Sequence, residues 1–236
     1  MGKFGAMKIK NQIILSNKES FSDLVENMIG NQKHMSQKIT NNHVQVLMIA
    51  EKPSIAKSLS DCLCGGKAKM GKMGRLSFFK FENYFKGVSA TITVSSVAGH
   101  VYGADFISEH NKWDAIETSR LYDVSIEKKE SDFKGKLPGK LASLAKGKDI
   151  ICLWLDCDKE GENICYEVLY NTFPFMTPRN YQQIYRAKFS SLTKEDLKKA
   201  YNNLNDIPNL LDSLFVDARQ VNIYIYILIK FIYNFY

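Results

Sequence analysis

The sequence predicts an α/β domain with a parallel central sheet flanked by helices, together with one β-hairpin. Three observations predict it. Two short apolar runs end abruptly in charge, segments with helical periodicity follow both runs, and two strand-like segments joined by Lys86-Gly87 lie between them. The order strand, helix, hairpin, strand, helix, strand, helix favours a parallel core. In such sheets the ligand site lies at the carboxyl ends of the strands.

The first elements follow from their residue patterns. Residues 1–43 are rich in Asn, Gln, Lys and Ser and are predicted to form a poorly ordered extension. Val44–Ala50 is a short aliphatic run, as in a strand buried on both faces. Pro53 suits a first helical turn, and Ser54–Leu63 then has helical spacing. Cys64–Arg75 is rich in Gly and Lys and is predicted to be a loop.

The later elements repeat the pattern. Strands are predicted over Leu76–Phe85 and Ser89–Val97, which form the hairpin, and over Ile150–Leu155. A helix is predicted over Glu162–Phe173, and another strand over Tyr181–Phe189.

The last predicted helix begins at Thr193 and runs to about Leu204. Asp196 stands three residues after Thr193, which resembles a capping pair at a helix start.

Composition and charge exclude several classes of protein. The chain has 236 residues, of which 45% are hydrophobic, 12% aromatic and 24% charged, so it is neither wholly disordered nor collagen-like. The formal net charge is +7, but only +3 of it belongs to residues 44–220. Net charge alone is therefore weak evidence for a nucleic-acid partner.

Cysteine spacing, the apolar tail and one glycine-rich loop argue against zinc, a membrane span and ATP binding. The five cysteines are odd in number and lack a C-x-x-C pair, which indicates a reduced intracellular protein and argues against zinc. Residues 221–236 are apolar but too short and too interrupted to span a bilayer. Gly66–Met73 resembles a phosphate-binding loop, but Met73 replaces the required Ser or Thr, which argues against ATP binding.

Acidic residues follow both apolar runs, at the point where each strand ends. Glu51 and Lys52 follow Ala50, and Asp156-x-Asp158-x-Glu160 follows Leu155. Carboxylate oxygens are the ligands that Mg²⁺ prefers, and carboxylates converging on one crevice need a cation. The alternative is a solvated turn in which acids stabilise a helix N-terminus by tenths of a kcal/mol to about 1 kcal/mol each.

Six ordered segments add a family resemblance to this pattern. A Glu after one strand and an Asp-x-Asp after a distant strand resemble the Toprim domain of topoisomerases, primases and some nucleases. The six segments are similar to the N-terminal part of type IA DNA topoisomerases. Among these enzymes, they most resemble eukaryotic topoisomerase III in its beta form. The segments are VLMIAEKPSIAKSL (Val46–Leu59), SSVAGHVYGADF (Ser95–Phe106), NKWD (Asn111–Asp114), LWLDCDKEGENICYEV (Leu153–Val168), RAKFSSLT (Arg186–Thr193) and VDARQ (Val216–Gln220).

The resemblance implies an activity and a domain plan. Members of this family cut and rejoin single-stranded DNA through a 5′-phosphotyrosyl intermediate, with Mg²⁺ and without ATP. Residues 44–193 then correspond to the Toprim domain, and residues 194–220 to the helical start of the next topoisomerase domain. A Toprim nuclease or primase-like protein is the less favoured alternative, because the segments beyond the acids match the topoisomerases.

The resemblance also implies roles for individual residues. Glu51 matches the general acid and base at the 3′ oxygen, and Lys52 matches the lysine that balances charge on the scissile phosphate. Asp156, Asp158 and Glu160 match the triad that holds Mg²⁺.

Two arginines are carried over as nucleic-acid contacts. These are Arg186 and Arg219, although Arg186 could instead pair with an acid. His100 is interpreted as a core or loop-capping histidine rather than as a catalytic one.

The chain departs from the family after Gln220. Residues 221–236 are interpreted as a non-family tail, with a gene-model artefact as the hypothesis for it, and its tyrosines have no family context. The chain alone is therefore expected to be inactive, and a catalytically inactive Toprim fragment that binds nucleic acid or a partner is the alternative function. The expected partners are single-stranded DNA, with RNA left open, and an accessory scaffold protein in the nucleus, without a membrane.

Overall fold

The computed structural model describes residues 30, 32, 34–36, 38–66, 68–106, 126–131 and 134–220. The predictions for most of residues 1–43, for the NKWD segment and for residues 221–236 lie outside the described residues.

From residue 38 on, the described part of the chain contains eight strands and five α-helices. The strands are β1 (His43–Ala50), β2 (Lys69–Met73), β3 (Leu76–Phe85), β4 (Val88–Ser96), β5 (Tyr102–Phe106), β6 (Ile126–Glu130), β7 (Ile150–Trp154) and β8 (Ile184–Arg186). The helices are α1 (Pro53–Leu63), α2 (Leu137–Ala145), α3 (Lys159–Thr172), α4 (Lys194–Asn202) and α5 (residues 210–220), with a 3₁₀ turn at Phe173–Phe175.

Six strands form one mostly parallel sheet in the order β2-β3-β4-β1-β7-β8. Strands β4, β1, β7 and β8 run parallel, while β3 is antiparallel to β4 and β2 is antiparallel to β3. Ala50 lies opposite both Ser96 and Trp154, so the carboxyl ends of β4, β1 and β7 are level. The predicted α/β class with a parallel core is confirmed, and the site region lies at this edge of the sheet.

The predicted hairpin is confirmed as β3 and β4, and both of its strands belong to the central sheet. Lys86 and Gly87 join them with φ angles of 47° and 81°. Two left-handed residues are what a two-residue type I′ turn requires. A small separate sheet, β5 with β6, was not predicted.

The predicted loop Cys64–Arg75 contains strand β2, so that prediction is wrong in part. The strand is Lys-Met-Gly-Lys-Met at the sheet edge, where lysines are common because they discourage pairing with another chain. Its side chains therefore lack the apolar alternation by which a half-buried strand is recognised. The Phe78 ring packs directly on Gly71, since a Cβ at this position would lie 2.2 Å from a ring carbon.

Helix and strand ends also differ from the prediction. Helix α3 begins at Lys159 rather than Glu162, because the side chain of Asp158 caps it. The predicted strand Tyr181–Phe189 is reduced to the three residues of β8. The capping prediction is confirmed, since Thr193 Oγ1 accepts the Asp196 amide at 3.3 Å at the start of α4.

Both faces of the central strands β1 and β7 are buried. Alternate residues of β1 and β7 pack on opposite faces: Leu47 and Leu153 lie among the residues of α2 and α3, and Met48 and Trp154 lie among those of α1 and α4. Burial of large apolar side chains stabilises a fold by about 1.5–3 kcal/mol each. Packing on both faces therefore fixes the positions of the carboxyl ends of β1 and β7 in the sheet. None of the helices in the described ranges is long and apolar enough to cross a membrane.

Candidate active site

Glu51 and Asp156 come together because they directly follow neighbouring parallel strands. The Glu51 amide donates to the Trp154 carbonyl at 3.2 Å, and the Asp156 amide donates to Glu51 Oε2 at 3.1 Å. The Glu51 side chain is only 13% exposed, whereas that of Asp156 is 40% exposed. The main chain of one strand thus holds the carboxylate of the other in a fixed orientation.

Lys52 bridges these two carboxylates. Its Nζ lies 2.9 Å from Asp156 Oδ2 and 3.3 Å from Glu51 Oε1. Hydrogen bonds to Asp156 and then to Glu51 raise the pKa of Lys52 above its ordinary value, so the ammonium group is charged at neutral pH. The sequence-predicted pair Glu51 and Lys52 therefore lies beside Asp156, and the position between the two carboxylates holds a cation.

Asp158 caps helix α3. Its Oδ1 accepts the Gly161 amide at 2.7 Å, which satisfies one of the helix's unpaired donors. The loop is tightly wound at this point, because a Cβ on Gly161 would lie 1.9 Å from the Asp156 carbonyl oxygen. Only glycine fits there, and the path of the chain from Asp156 into α3 depends on it.

Glu160 points into a set of ion pairs instead of toward Asp156. Its Oε2 lies 3.0 Å from His100 Nε2, and its Oε1 contacts the Arg219 guanidinium. Within the residues that the structure describes, no three His, Cys, Asp or Glu side chains are grouped as metal ligands. The predicted triad is thus not brought together as a cluster, and its metal role stays a prediction.

Sequence reasoning missed Glu167, which lies beneath His100. The Glu167 side chain is fully buried, with Oε1 3.3 Å from His100 Nδ1 and Oε2 accepting the Val101 amide at 2.8 Å. Lys128 Nζ lies 3.7 Å from Glu167 Oε1. The signal in the sequence was an acid at position 167 within a helix whose neighbours Tyr166 and Val168 are apolar.

A second buried set of polar groups ties α3 to α5, and the sequence did not reveal it. Asn163 Nδ2 donates to Asp217 Oδ1 at 2.7 Å and to the Ser213 carbonyl at 3.0 Å. Lys128 Nζ lies 2.7 Å from Asp217 Oδ1. These contacts hold α5 against the domain and thereby set the position of Arg219, whose side chain is 49% exposed.

Arg186 pairs with an acid, which is the alternative that the sequence left open, and its predicted contact with nucleic acid stays a prediction. Its side chain is 1% exposed. The guanidinium donates to the carbonyls of Leu155 at 2.9 Å and Asp156 at 2.7 Å, and Nε donates to Glu162 Oε1 at 2.9 Å. Arg186 therefore fixes the end of β7 and its acidic loop from behind.

An open groove of about 670 Å³ lies beside the ends of β7 and β8. Its lining combines the acidic loop with lysines and one aromatic residue, and includes Asp158, Lys159, Lys188, Phe189 and Lys199. The lining also includes Glu162, Asp196 and Asp212, so acids and lysines are both present in the groove.

Comparisons with known proteins identify the family of this chain. The Toprim domain model matches residues 46–192. DNA topoisomerase 3-beta of Arabidopsis thaliana is 42% identical over 179 residues, which cover 76% of this chain and 20% of that protein. DNA topoisomerase 3-beta-1 of Homo sapiens is 40% identical over 180 residues, covering 74% of this chain and 21% of that protein.

Among solved structures, the G domain of the T. maritima FeoB iron transporter aligns with a TM-score of 0.32 and 15% identity, over 56% of this chain and 67% of that chain. This likeness is too low to define a shared fold. The chain spans about one fifth of the length of the curated relatives it matches. It belongs to the Toprim domain family, and within that family it resembles the topoisomerases of the 3-beta type.

Proposed function

We propose that this chain supplies the Toprim half of the active site of a type IA DNA topoisomerase. The protein would cut and rejoin single-stranded DNA through a 5′-phosphotyrosyl intermediate, without ATP. The observation that carries the proposal is the placement of Glu51, Lys52 and Asp156 at neighbouring strand ends, bridged by the lysine ammonium at 2.9 and 3.3 Å. The similarity to topoisomerases of the 3-beta type supports it.

Glu51 suits a proton-transfer role. One of its oxygens is fixed by the Asp156 amide, and the other faces Lys52. A carboxyl group held in this way can protonate the 3′ oxygen that leaves on cleavage and can remove the proton again on rejoining. Positioned general acids and bases contribute about 10²–10⁴-fold to a rate.

Lys52 suits the scissile phosphate. Its side chain is 55% exposed at the mouth of the site, and its raised pKa keeps it charged. An ammonium group aimed at a phosphoryl oxygen stabilises the negative charge that develops there. Movement of Lys52 toward DNA would uncover Glu51 and Asp156 together.

The residues fit Mg²⁺ in part. Glu51 and Asp156 already share one cation, and Mg²⁺ is commonly held by one or two carboxylates while keeping several waters. Asp158 uses only Oδ1 for its cap, whereas Glu160 is engaged by His100 and Arg219. We propose that Asp156 and Asp158 would hold Mg²⁺, which would orient the DNA phosphate when bound. Glu160 would lie at the edge of this metal site.

The DNA path follows from the same geometry. We propose that single-stranded DNA crosses the strand ends toward the groove lined by Lys188 and Phe189, and that Arg219 contacts it on the α5 side. RNA offers the same backbone chemistry. For the whole protein, we also propose a location in the nucleus and binding to an accessory scaffold protein.

A chimera tests the proposed activity. In it, residues 46–192 replace the matching segment of the Arabidopsis relative, and relaxation of negatively supercoiled plasmid is measured. We expect relaxation that Glu51→Gln lowers by at least about 10²-fold. The matched control Asp61→Asn, at an exposed position on α1, should leave it unchanged. A chimera that is folded and binds single-stranded DNA but fails to relax the plasmid would overturn the proposal.

A further inference from the structure

Two stretches of the chain carry Lys and Arg without any Asp or Glu. Residues 66–81 hold five such cations, and residues 134–148 hold five more. The fold brings the two stretches together, because the first forms β2 and β3 and the second forms α2 and its flanks. Lys140 of α2 reaches the β2–β3 turn, where its Nζ lies 3.1 Å from the place a Cβ on Gly74 would occupy.

Two of these lysines lie along one row of the sheet, and a third reaches this row from outside the sheet. Lys69 stands directly opposite Lys80, and Lys80 stands directly opposite Thr93. Lys148 Nζ donates to Thr93 Oγ1 at 2.8 Å. Burial, and then the charge of Lys80, lower the pKa of Lys148 to about 8, which agrees with their closeness. Like charges directly opposite each other in a strand pair destabilise it.

The nearby carboxylates already have other partners. Asp149 binds Arg179 at 2.5 Å and accepts the Gln45 amide at 2.8 Å. Glu82 accepts the Thr91 hydroxyl at 2.9 Å. Lys69, Lys80 and Lys140 form no salt bridge with any residue in the described ranges. Within the described ranges, the charges of these three lysines therefore have no ion-pair partner.

We propose that the surface formed by Lys69, Lys80 and Lys140, here called the basic face, binds the sugar-phosphate backbone of duplex DNA, with the buried Lys148 beneath it. A polyanion relieves the repulsion among its ammonium groups and releases counterions. Single-strand sites rely on stacking platforms, whereas Phe78, the aromatic residue beside Lys80 on this face, lies against Gly71. The chemistry of this face is thus that of backbone contact.

The basic face leads toward the active-site edge. Phe78 pairs with Ser95, and Ser96 pairs with Ala50, so the β2–β3 turn lies at the same edge as Glu51. Two strand spacings separate them, which is about 10 Å. A duplex on the basic face would therefore flank a single strand held at the site. This placement rests on the proposed function, but the binding itself does not.

The test is fluorescence anisotropy of a labelled short DNA duplex with the chain, in EDTA, from about 50 to about 200 mM KCl. We expect Lys69→Glu/Lys80→Glu to weaken binding at least about 10-fold at low salt and to reduce the slope of log K against log[salt] by about 2, since each contact contributes about 0.9. The matched control Lys57→Glu/Lys194→Glu changes the same charge at exposed positions on α1 and α4, and it should weaken binding less than about 3-fold.

Equal weakening by both double variants would overturn the proposal, as would an unchanged slope or no duplex binding by the wild-type chain. Thermal unfolding of both variants checks that the fold is kept. Because the assay contains no Mg²⁺ and no reaction, and can be repeated with Glu51→Gln, its failure is distinct from a failure of the proposed topoisomerase activity.

Discussion

The Asp156 amide donates a 3.1 Å hydrogen bond to Glu51 Oε2, which links the ends of two parallel strands through an acidic side chain. The separation of these two acids is consequently set by the sheet, whose register places Ala50 opposite Trp154. Lys52 occupies the space between them. The first prediction concerns that lysine.

Replacing Lys52 with Gln should tighten Mg²⁺ binding by about 3- to 10-fold at low salt. The ammonium group competes with a metal ion for Glu51 and Asp156. Removing its positive charge, which lies about 3 Å from both carboxylates, leaves their negative charge available to the metal. Isothermal titration of MgCl₂ measures it. The same variant should bind single-stranded DNA more weakly, and Mg²⁺ binding that becomes weaker would show that Lys52 supports the metal site rather than competes with it.

Gly161→Ala should distort the acidic loop. A Cβ there would lie 1.9 Å from the Asp156 carbonyl oxygen, so we expect a loss of about 1–3 kcal/mol in unfolding free energy and weaker Mg²⁺ binding. The control is Gly139→Ala in α2, where no atom lies within 4 Å of the new methyl and a gain of about 0.5–1 kcal/mol is expected. Urea denaturation compares the two, and equal stability of both variants would contradict the tight loop.

Arg186→Met should destabilise the fold without a specific effect on DNA. The buried guanidinium pairs with Glu162 and with carbonyls at the end of β7, and breaking such a buried pair costs about 3–5 kcal/mol. Lys188→Met, at a 67% exposed side chain, should stay within about 0.5 kcal/mol of wild type. A large loss of single-strand binding by a fully stable Arg186→Met would instead support the predicted nucleic-acid contact.

Lys148 should make stability rise with pH. Its pKa is lowered to about 8 by burial and then by Lys80, against opposing effects of Asp149 and Glu82, while in the unfolded chain it is near 10.5. Between these values the unfolded state binds more protons, so the unfolding free energy increases with pH. We expect a rise of about 2–3 kcal/mol from pH 8 to 10.5 relative to Lys148→Met, measured by urea denaturation. If the unfolding free energies of the two proteins change equally with pH, the lowered pKa of Lys148 is contradicted.

The sequence revealed the elements whose burial and turn chemistry are strong. Strands β1 and β7 are apolar runs because both of their faces are covered, and Lys86-Gly87 marks a turn that needs two left-handed residues. Edge strand β2 was missed because its lysines and glycine carry no burial pattern. Pairing with β3 decides its structure, and that is a tertiary effect.

Strand-end position predicted the contact of Glu51 and Lys52 with Asp156, because parallel strands end at one edge. It could not predict the side-chain directions of Asp158 and Glu160, which a helix cap and the pairs with His100 and Arg219 decide. Arg186 is buried and pairs with Glu162, as in the alternative that the sequence left open, and its predicted nucleic-acid contact stays a prediction. Its apolar neighbours Ile184, Tyr185 and Ala187 were the available sign of burial.

Titration of MgCl₂ into the chain, with Asp156→Asn and the exposed control Asp61→Asn in parallel, tests the strand-end site most directly. We predict binding at a single site that Asp156→Asn weakens by at least about 10-fold, since hard cations depend on carboxylate oxygens, and that Asp61→Asn leaves unchanged. Equal binding by all three proteins, or no binding by the wild-type chain, would contradict the assignment of these acids to a magnesium-dependent active site.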